Sequence, residues 1–333
     1  MKLRLFVWLV TIPIYSVFGA FTSNDHGGDE ELIRKEQLSN RHKAVEVLNI
    51  RKEYHKKYPR GYRIHYKLRL TSLQKEIGFY DAINSSHAVN PKGIRYLGEI
   101  DMDKDLLEPY EQVYRLAYKV LFAHEGKYDA INTYDRGVFS FGFIQNNAKY
   151  GELSLFMKQL SLYYPEAYYR YFGERGIEVN RDEEGSNMIQ VVDDTGKLLM
   201  GDAAWKYMSE DVKVIACFIE AAHDVSIRKM QREFLHERYT NLLLERSAKF
   251  HGKYYTWGEL MGADEKLLAA AVTLGVNLGV GGANSVLQKA LNEMSALYKS
   301  PDQINMELFL RQIRSIGNDD RVTRRINMIL EAN

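Results

Sequence analysis

The chain has 333 residues, with 45 lysines and arginines against 44 aspartates and glutamates and a formal net charge of +1. Its length allows one large domain or two modest ones around a substantial core. Usage of 45% apolar and 27% charged residues excludes global disorder, and the even charge balance gives no sign of nucleic acid or an anionic membrane as the main partner.

Lys2 and Arg4 precede an apolar run over 5–15 and small residues at Val17, Gly19 and Ala20. That order predicts a secretory signal peptide over 1–20, cleaved near Gly19 or Ala20. The apolar run is shorter than the roughly 20 residues of a spanning helix, so no stable membrane span is expected after cleavage. Losing Lys2 and Arg4 takes the formal charge from +1 to −1. The lone Cys217 excludes an intramolecular disulfide and sits in an apolar pattern, as a buried, inert thiol would. Export without disulfides suits a bacterial periplasm or exterior.

Residues 21–30 read as a flexible leader and 31–57 as a charged, solvated helix. Tyr62, Ile64, Tyr66, Leu68 and Leu70 alternate with Arg63, His65, Lys67 and Arg69, which predicts a strand with a basic outer face. A helix is expected over 107–124, ended by Gly126, followed by an aromatic strand-like run over 138–144 entered through Asp135-Arg136-Gly137. Residues 152–172 read as helical, and 173–202 as two β-like runs around a turn at Asp193-Asp194-Thr195-Gly196. No Gly or Pro interrupts 209–250, so one long helix, or two with a bend near Asp224, is expected there. Helices over 264–278 and 283–299 flank a glycine turn at 279–282, with Ser285 placed to cap the second. Helices over 302–315 and 319–331 complete the chain.

Cleaving a glycosidic bond requires a protonated acid beside the leaving oxygen and a second group that steers water or attacks the sugar. Apolar walls keep a carboxyl protonated. Glu125, at a helix end near Phe122 and facing a hairpin with Phe139, Phe141 and Phe143, meets that description. Asp135, in the polar turn ten residues on, is the candidate base, and Ser140 is placed to hold a water with it. Tyr134, Phe139, Phe141, Gln145 and Asn146 are the expected substrate-binding residues around this hairpin.

The runs Glu125-Gly126, Tyr134-Asp135 and Ser140-Phe141-Gly142-Phe143 resemble the active-site stretch of phage-type lysozymes. Those enzymes show Glu-Gly, a Tyr and an Asp shortly after, then Thr-x-Gly on a hairpin. Here Ser replaces Thr, and the Asp stands one residue further along. The segment Val276-Asn277-Leu278-Gly279-Val280-Gly281, then Ser285 to Asn292, is similar to the same family's Phe-Asn-x-Gly-x-Gly…Ser-Thr-Leu…Leu-Asn stretch. The resemblance implies Glu125 as general acid, Asp135 as base or water-orienting group, and Ser140 in the place of Thr. It implies a mainly α (α+β) fold, a lysozyme-like helical domain with a small β-hairpin at the active site. That domain would span 106–333 with an insertion at about 150–265, after an extension over 21–105. The implied activity is cofactor-free, metal-free hydrolysis of peptidoglycan or a related amino-sugar polymer. Phe141-Gly142-Phe143-Ile144-Gln145 also resembles the Gly-Leu-Met-Gln hairpin of lytic transglycosylases and goose-type lysozymes, and chitosanases share the design. A non-catalytic glycan-binding protein on the same fold is the remaining alternative.

Other residues read more simply. His124 adjoins Glu125 but points elsewhere on a helix. Asp129 is an alternative second carboxylate or a turn residue. Glu220 and His223 share a helix face without the spacing of a metal motif, and Trp205 and Trp257 read as core.

Overall fold

Seven strands follow one another in sequence and in space to form the sheet that carries the candidate site. The computed structural model describes residues 27–332 except 55, 57–61, 82–92, 103–106, 182–184, 263 and 318. The signal peptide expected over 1–20 lies outside the described residues.

Helix α1 (Gly27–Ala44) passes directly into strand β1 (Val45–Tyr54). The single helix expected over 31–57 therefore stops at its midpoint. β1 pairs with β2 (Tyr62–Leu70) from Val45↔Leu70 to Tyr54↔Tyr62, with a bulge between Val47 and Asn49. The alternation in β2 delivers Leu68 and Leu70 to the core, where β3 (Lys75–Asp81) adds Ile77 and Phe79. On the opposite face Arg63 meets Glu53, Lys67 meets Glu76, and Arg69 meets both Glu46 and Glu76. Each such exposed pair contributes at most about 1 kcal/mol, so burial of the apolar face is what holds these strands down.

The meander continues through β4 (Ile94–Tyr96), β5 (Ile131–Asn132), β6 (Ser140–Phe141) and β7 (Asn146–Asn147). This sheet overturns the expected mainly α, lysozyme-like domain with a small hairpin. The site hairpin is the far end of a seven-stranded antiparallel sheet, two smaller sheets accompany it, and the architecture is α+β. Strands of two or three residues carry no period-two signal of their own, and only the backbone pairing reveals them.

A 3₁₀ turn (Pro109–Tyr114) leads into α2 (Arg115–His124), which buries Leu116, Ala117, Tyr118, Val120 and Leu121. After β7 come α3 (Glu152–Tyr163) and α4 (Pro165–Tyr171), divided at Pro165. The second sheet is β8 (Ile177–Arg181), β9 (Asn187–Val192) and β10 (Leu198–Met200), with the expected turn at Asp193 to Gly196 joining the last two. α5 (Gly201–Glu210), α6 (Val212–Ala221) and α7 (Val225–Leu235) follow. The carboxylates of Asp211 and Asp224 accept from backbone N–H groups at the starts of α6 and α7, which makes the bend expected near Asp224. α7 runs through a π turn (His236–Asn241) into the short α8 (Leu242–Leu244). The helical reading then fails, because Ser247–Phe250 (β11) and Lys253–Thr256 (β12) form a hairpin.

α9 (Trp257–Met261) precedes α10 (Glu265–Ser295), which breaks at Gly279 with φ 69° and ψ 165°. The glycine turn expected over 279–282 contracts to that one residue. Ser285 lies inside the helix instead of capping it, and the Asp264 carboxylate caps the start of α10. α10 is long and apolar enough to cross a membrane, but 56% of its most apolar window is buried inside the protein, as in a core helix. α11 (Met306–Gly317) and α12 (Asp320–Glu331) pack against it, α12 through Val322, Ile326 and Ile329.

Candidate active site

The end of α2 sets the position of Glu125. Its N–H donates to the Leu121 carbonyl at 2.8 Å, continuing the helix by one residue. Gly126 then stops it at φ +118°, where a Cβ would stand 2.5 Å from Cβ of Ala130. Both the backbone and the space require glycine there. The Glu125 side chain, 23% exposed, meets a guanidinium from the other end of the chain: Arg325 of α12 donates from Nη2 to Glu125 Oε1. Arg325 is only 3% exposed and donates again, from Nη1 to the Thr273 carbonyl of α10 at 3.1 Å. Burial pulls the guanidinium below its ordinary value, and Glu125 opposes that shift. Among the described residues no protein group is hydrogen-bonded to the second carboxylate oxygen of Glu125.

Asp135 is held in a tight turn. Oδ1 accepts from the Gly137 N–H at 2.8 Å, and Oδ2 accepts from Asn132 Nδ2 at 2.7 Å. Asn132 also takes the Tyr134 N–H on Oδ1 at 3.2 Å, so one side chain organises the whole turn. A Cβ on Gly137 would lie 3.1 Å from both Asp135 Oδ1 and Ser140 Oγ. The missing side chain thus leaves a gap between the carboxylate and the hydroxyl. Val138, next in the turn, is β-branched yet sits at φ +67°, a strained conformation of the kind that gathers at functional sites.

Glu125 and Asp135 line one cleft of about 270 Å³, together with Arg95, Asn132, Tyr134 and Gln145. It is continuous with an outer groove of about 640 Å³ that shares Tyr134, Asp135, Gln145 and Arg321 and adds Arg136, Ser140 and Tyr150. Asp135, Tyr134, Gln145 and Ser140 are therefore brought together with Glu125 along one depression. Gln145, at φ +54°, donates from Nε2 to the Gly142 carbonyl at 2.8 Å.

Phe139, Phe141 and Asn146 are not in that groove. All three are fully buried, the phenylalanines against Phe218 of α6. Strand parity is the cause for Phe141 and Asn146. Arg95↔Asn132, Asn132↔Ser140 and Ser140↔Asn147 are directly paired, so these four residues form a row on one face. Tyr96, Ile131, Phe141 and Asn146 form the matching row on the other, toward the core. The phenylalanine walls expected around Glu125 are consequently absent from the cleft, which is lined mainly by arginines, His124, Asn132, Tyr134 and Gln145, with Tyr96, Leu97 and Ile131 as its apolar part.

A buried polar network backs the hairpin. Gln231 of α7 donates from Nε2 to the Tyr128 carbonyl at 3.0 Å and accepts from the Phe143 N–H at 3.3 Å. Arg232 beside it pairs with Glu111 at 2.8 Å and donates to Tyr128 Oη at 3.1 Å. Tyr118 Oη donates to Glu111 at 3.1 Å and lies 2.6 Å from His236 Nε2. A neutral His236 with its proton on Nε2 satisfies all three groups, and burial pushes its imidazole down to about 4.

The remaining candidates have structural partners. Asp129 is fully buried and accepts from Tyr96 Oη and from the N–H groups of Glu99 and Ile100. Glu220 is held by Arg175 at 2.6 Å and by Ser72. Burial, and then Arg325, pull the His124 imidazole below its ordinary range against the charge of Glu125. Burial also pushes the Cys217 thiol up. Among the described residues no group of three or more His, Cys, Asp or Glu is placed to hold a metal ion.

Sequence reasoning missed Arg325, Asn132 and the cleft arginines. Arg325 had a legible signal, because α12 places it on the same face as Val322, Ile326 and Ile329, and a charge at a core position flags a buried partner. Arg95 had none, since only cross-strand pairing brings it beside Asn132, whereas Asn132 meets Asp135 through a local turn three residues long. No protein-family profile, curated protein or solved structure matches the chain.

Proposed function

We propose that this protein is an exported glycoside hydrolase that cuts the amino-sugar backbone of peptidoglycan or a related polymer by general acid/base catalysis, without a cofactor. The observation that carries the proposal is that Glu125 and Asp135, from two different elements, line the same cleft. They are the only carboxylates among the residues described around it. Arg325 holds Glu125 by Oε1, so the acid role requires a proton carried on the other oxygen, which is the one available to a leaving glycosidic oxygen. Asp135 is fixed by two hydrogen bonds and faces Ser140 across the gap at Gly137, a suitable seat for the attacking water. A water attacking opposite the acid inverts configuration at the anomeric carbon.

The test is digestion of purified peptidoglycan and chitosan by the wild-type protein, Glu125→Gln and Asp135→Asn, with mass analysis of the fragments. Wild type releases reducing ends, and Glu125→Gln lowers turnover by about a hundred- to ten-thousandfold. Anhydro-sugar ends would instead assign the protein to transglycosylation. Equal product release by wild type and both variants, each shown to be folded by circular dichroism, removes the enzymatic reading.

A further inference from the structure

Charge is unevenly distributed along the groove. Arg95, Arg321, Arg324 and Arg325 line the inner cleft and Arg136 the outer part, against the two carboxylates Glu125 and Asp135. Arg325 is committed to Glu125, and Arg321 reaches Asp319 at 3.4 Å. Arg95, Arg136 and Arg324 are exposed and have no carboxylate partner among the described residues. Along β2 the basic side chains are answered: Arg63, Lys67 and Arg69 all have glutamates within 3.2 Å. Three guanidinium groups without a carboxylate partner among the described residues thus stand along one groove, beside Arg321 and Arg325.

The sheet face under the groove also continues onto the N-terminal strands. Arg95 is paired with Tyr80, Tyr80 with His65, and His65 with Arg51, so the row of Arg95, Asn132, Ser140 and Asn147 extends on the same face to Arg51. His65 and Tyr80 stack at 4.5 Å, and Arg51 donates to His65 at 3.3 Å. Six strand-to-strand steps make a strip of about 29 Å. That is the length of several sugar units, and far more than a small ligand needs.

We propose that this strip selects an acidic glycan strand, with Arg95, Arg136 and Arg324 at the cleft and Arg51 further out taking carboxylates carried by the polymer. The proposal rests on reading Glu125 and Asp135 as the glycoside-cleaving pair. Guanidinium groups in a concave site focus a positive field and pair with carboxylates in a planar, two-bond geometry. The same field disfavours a cationic polymer such as chitosan and gives a neutral one such as chitin no charge contact.

Binding is measured by co-sedimentation with peptidoglycan sacculi, with sacculi whose carboxylates have been amidated by carbodiimide, and with chitin. Kinetics are measured on soluble strands of graded length. Native sacculi bind about tenfold or more tightly than amidated ones, with the difference shrinking as salt is raised. Arg95→Gln and Arg324→Gln each raise KM by about two- to fivefold and leave kcat within about twofold, as the loss of an exposed ion pair should. Arg51→Gln, at the far end of the strip, raises KM for long strands and not for short ones. Equal binding of native and amidated sacculi overturns the proposal, as does displacement of the strands by an equal charge of DNA duplex. Charge-dependent binding without cleavage leaves this inference standing and removes the hydrolase. Cleavage indifferent to amidation and to all three substitutions does the reverse.

Discussion

Gly137 separates Asp135 from Ser140, and its φ lies outside the left-handed region, so an alanine there meets no backbone penalty. Its methyl would stand 3.1 Å from Asp135 Oδ1 and from Ser140 Oγ, in the seat assigned to the water. Gly137→Ala is expected to lower kcat by about tenfold or more while shifting stability by less than about 1 kcal/mol, read from initial rates and denaturant unfolding. Gly142 behaves oppositely. It lies at φ +79°, and a Cβ there would sit 2.2 Å from Gln231 Oε1, the atom that accepts from Phe143. Gly142→Ala should therefore cost about 2–4 kcal/mol, the sum of left-handed strain and a displaced buried amide, visible as a lowered denaturant midpoint. At this scale the sequence was half legible. Helix end, turn and spacing placed Glu125 and Asp135 in what proves to be one cleft. Phe139 and Phe141 suit a sugar groove and a core equally by residue type; strand parity turns Phe141 inward, and Phe139 packs beside it on Phe218.

α7 acts as a brace, with Gln231 gripping the site hairpin and Arg232 pairing with Glu111 beneath it. Its pH response follows from His236 at its end. An unfolded imidazole titrates near 6.5 and the buried one at about 4, so between those values the unfolded chain binds more protons. Stability is therefore full above pH about 6.5, declines as pH falls, and levels off below about 4, a loss of up to about 3 kcal/mol. His236→Gln should flatten that decline, which chemical denaturation at a series of pH values will show. Elements were legible where they were long. β2, the turn at Asp193 and the bend at Asp224 all carried local signals of alternation or capping. The hairpin Ser247–Phe250 with Lys253–Thr256 did not, because its residues also fit a helix, and β4 to β7 are too short to carry any period.

Across the whole molecule, the first three strands share one sheet with the cleft. Leu68, Leu70, Ile77 and Phe79 belong to the same buried cluster as Tyr128, Ile131 and Phe141. Removing residues 27–81 strips apolar partners from that cluster and frees the edge of β4. The truncated protein is expected to be aggregated or rapidly proteolysed, as limited proteolysis and size-exclusion chromatography would reveal. A stable, monomeric truncation would mean that the cleft folds without those strands. None of this union was readable in the sequence, because β4 to β7, which join those strands to the cleft, are too short to carry a strand signal.

The ion pair between Glu125 and Arg325 joins residues 200 positions apart. A polypeptide made from its N-terminus contains all seven strands of the sheet by Asn147, with the proposed acid and base already in the chain. The guanidinium that holds Glu125 comes from α12, far beyond that point. A nascent or C-terminally clipped chain therefore has both carboxylates but lacks the counterion that holds one of them. Cleavage ahead of α12 therefore frees Glu125 Oε1 while both carboxylates stay in the chain, so that one contact reports whether the helix is docked.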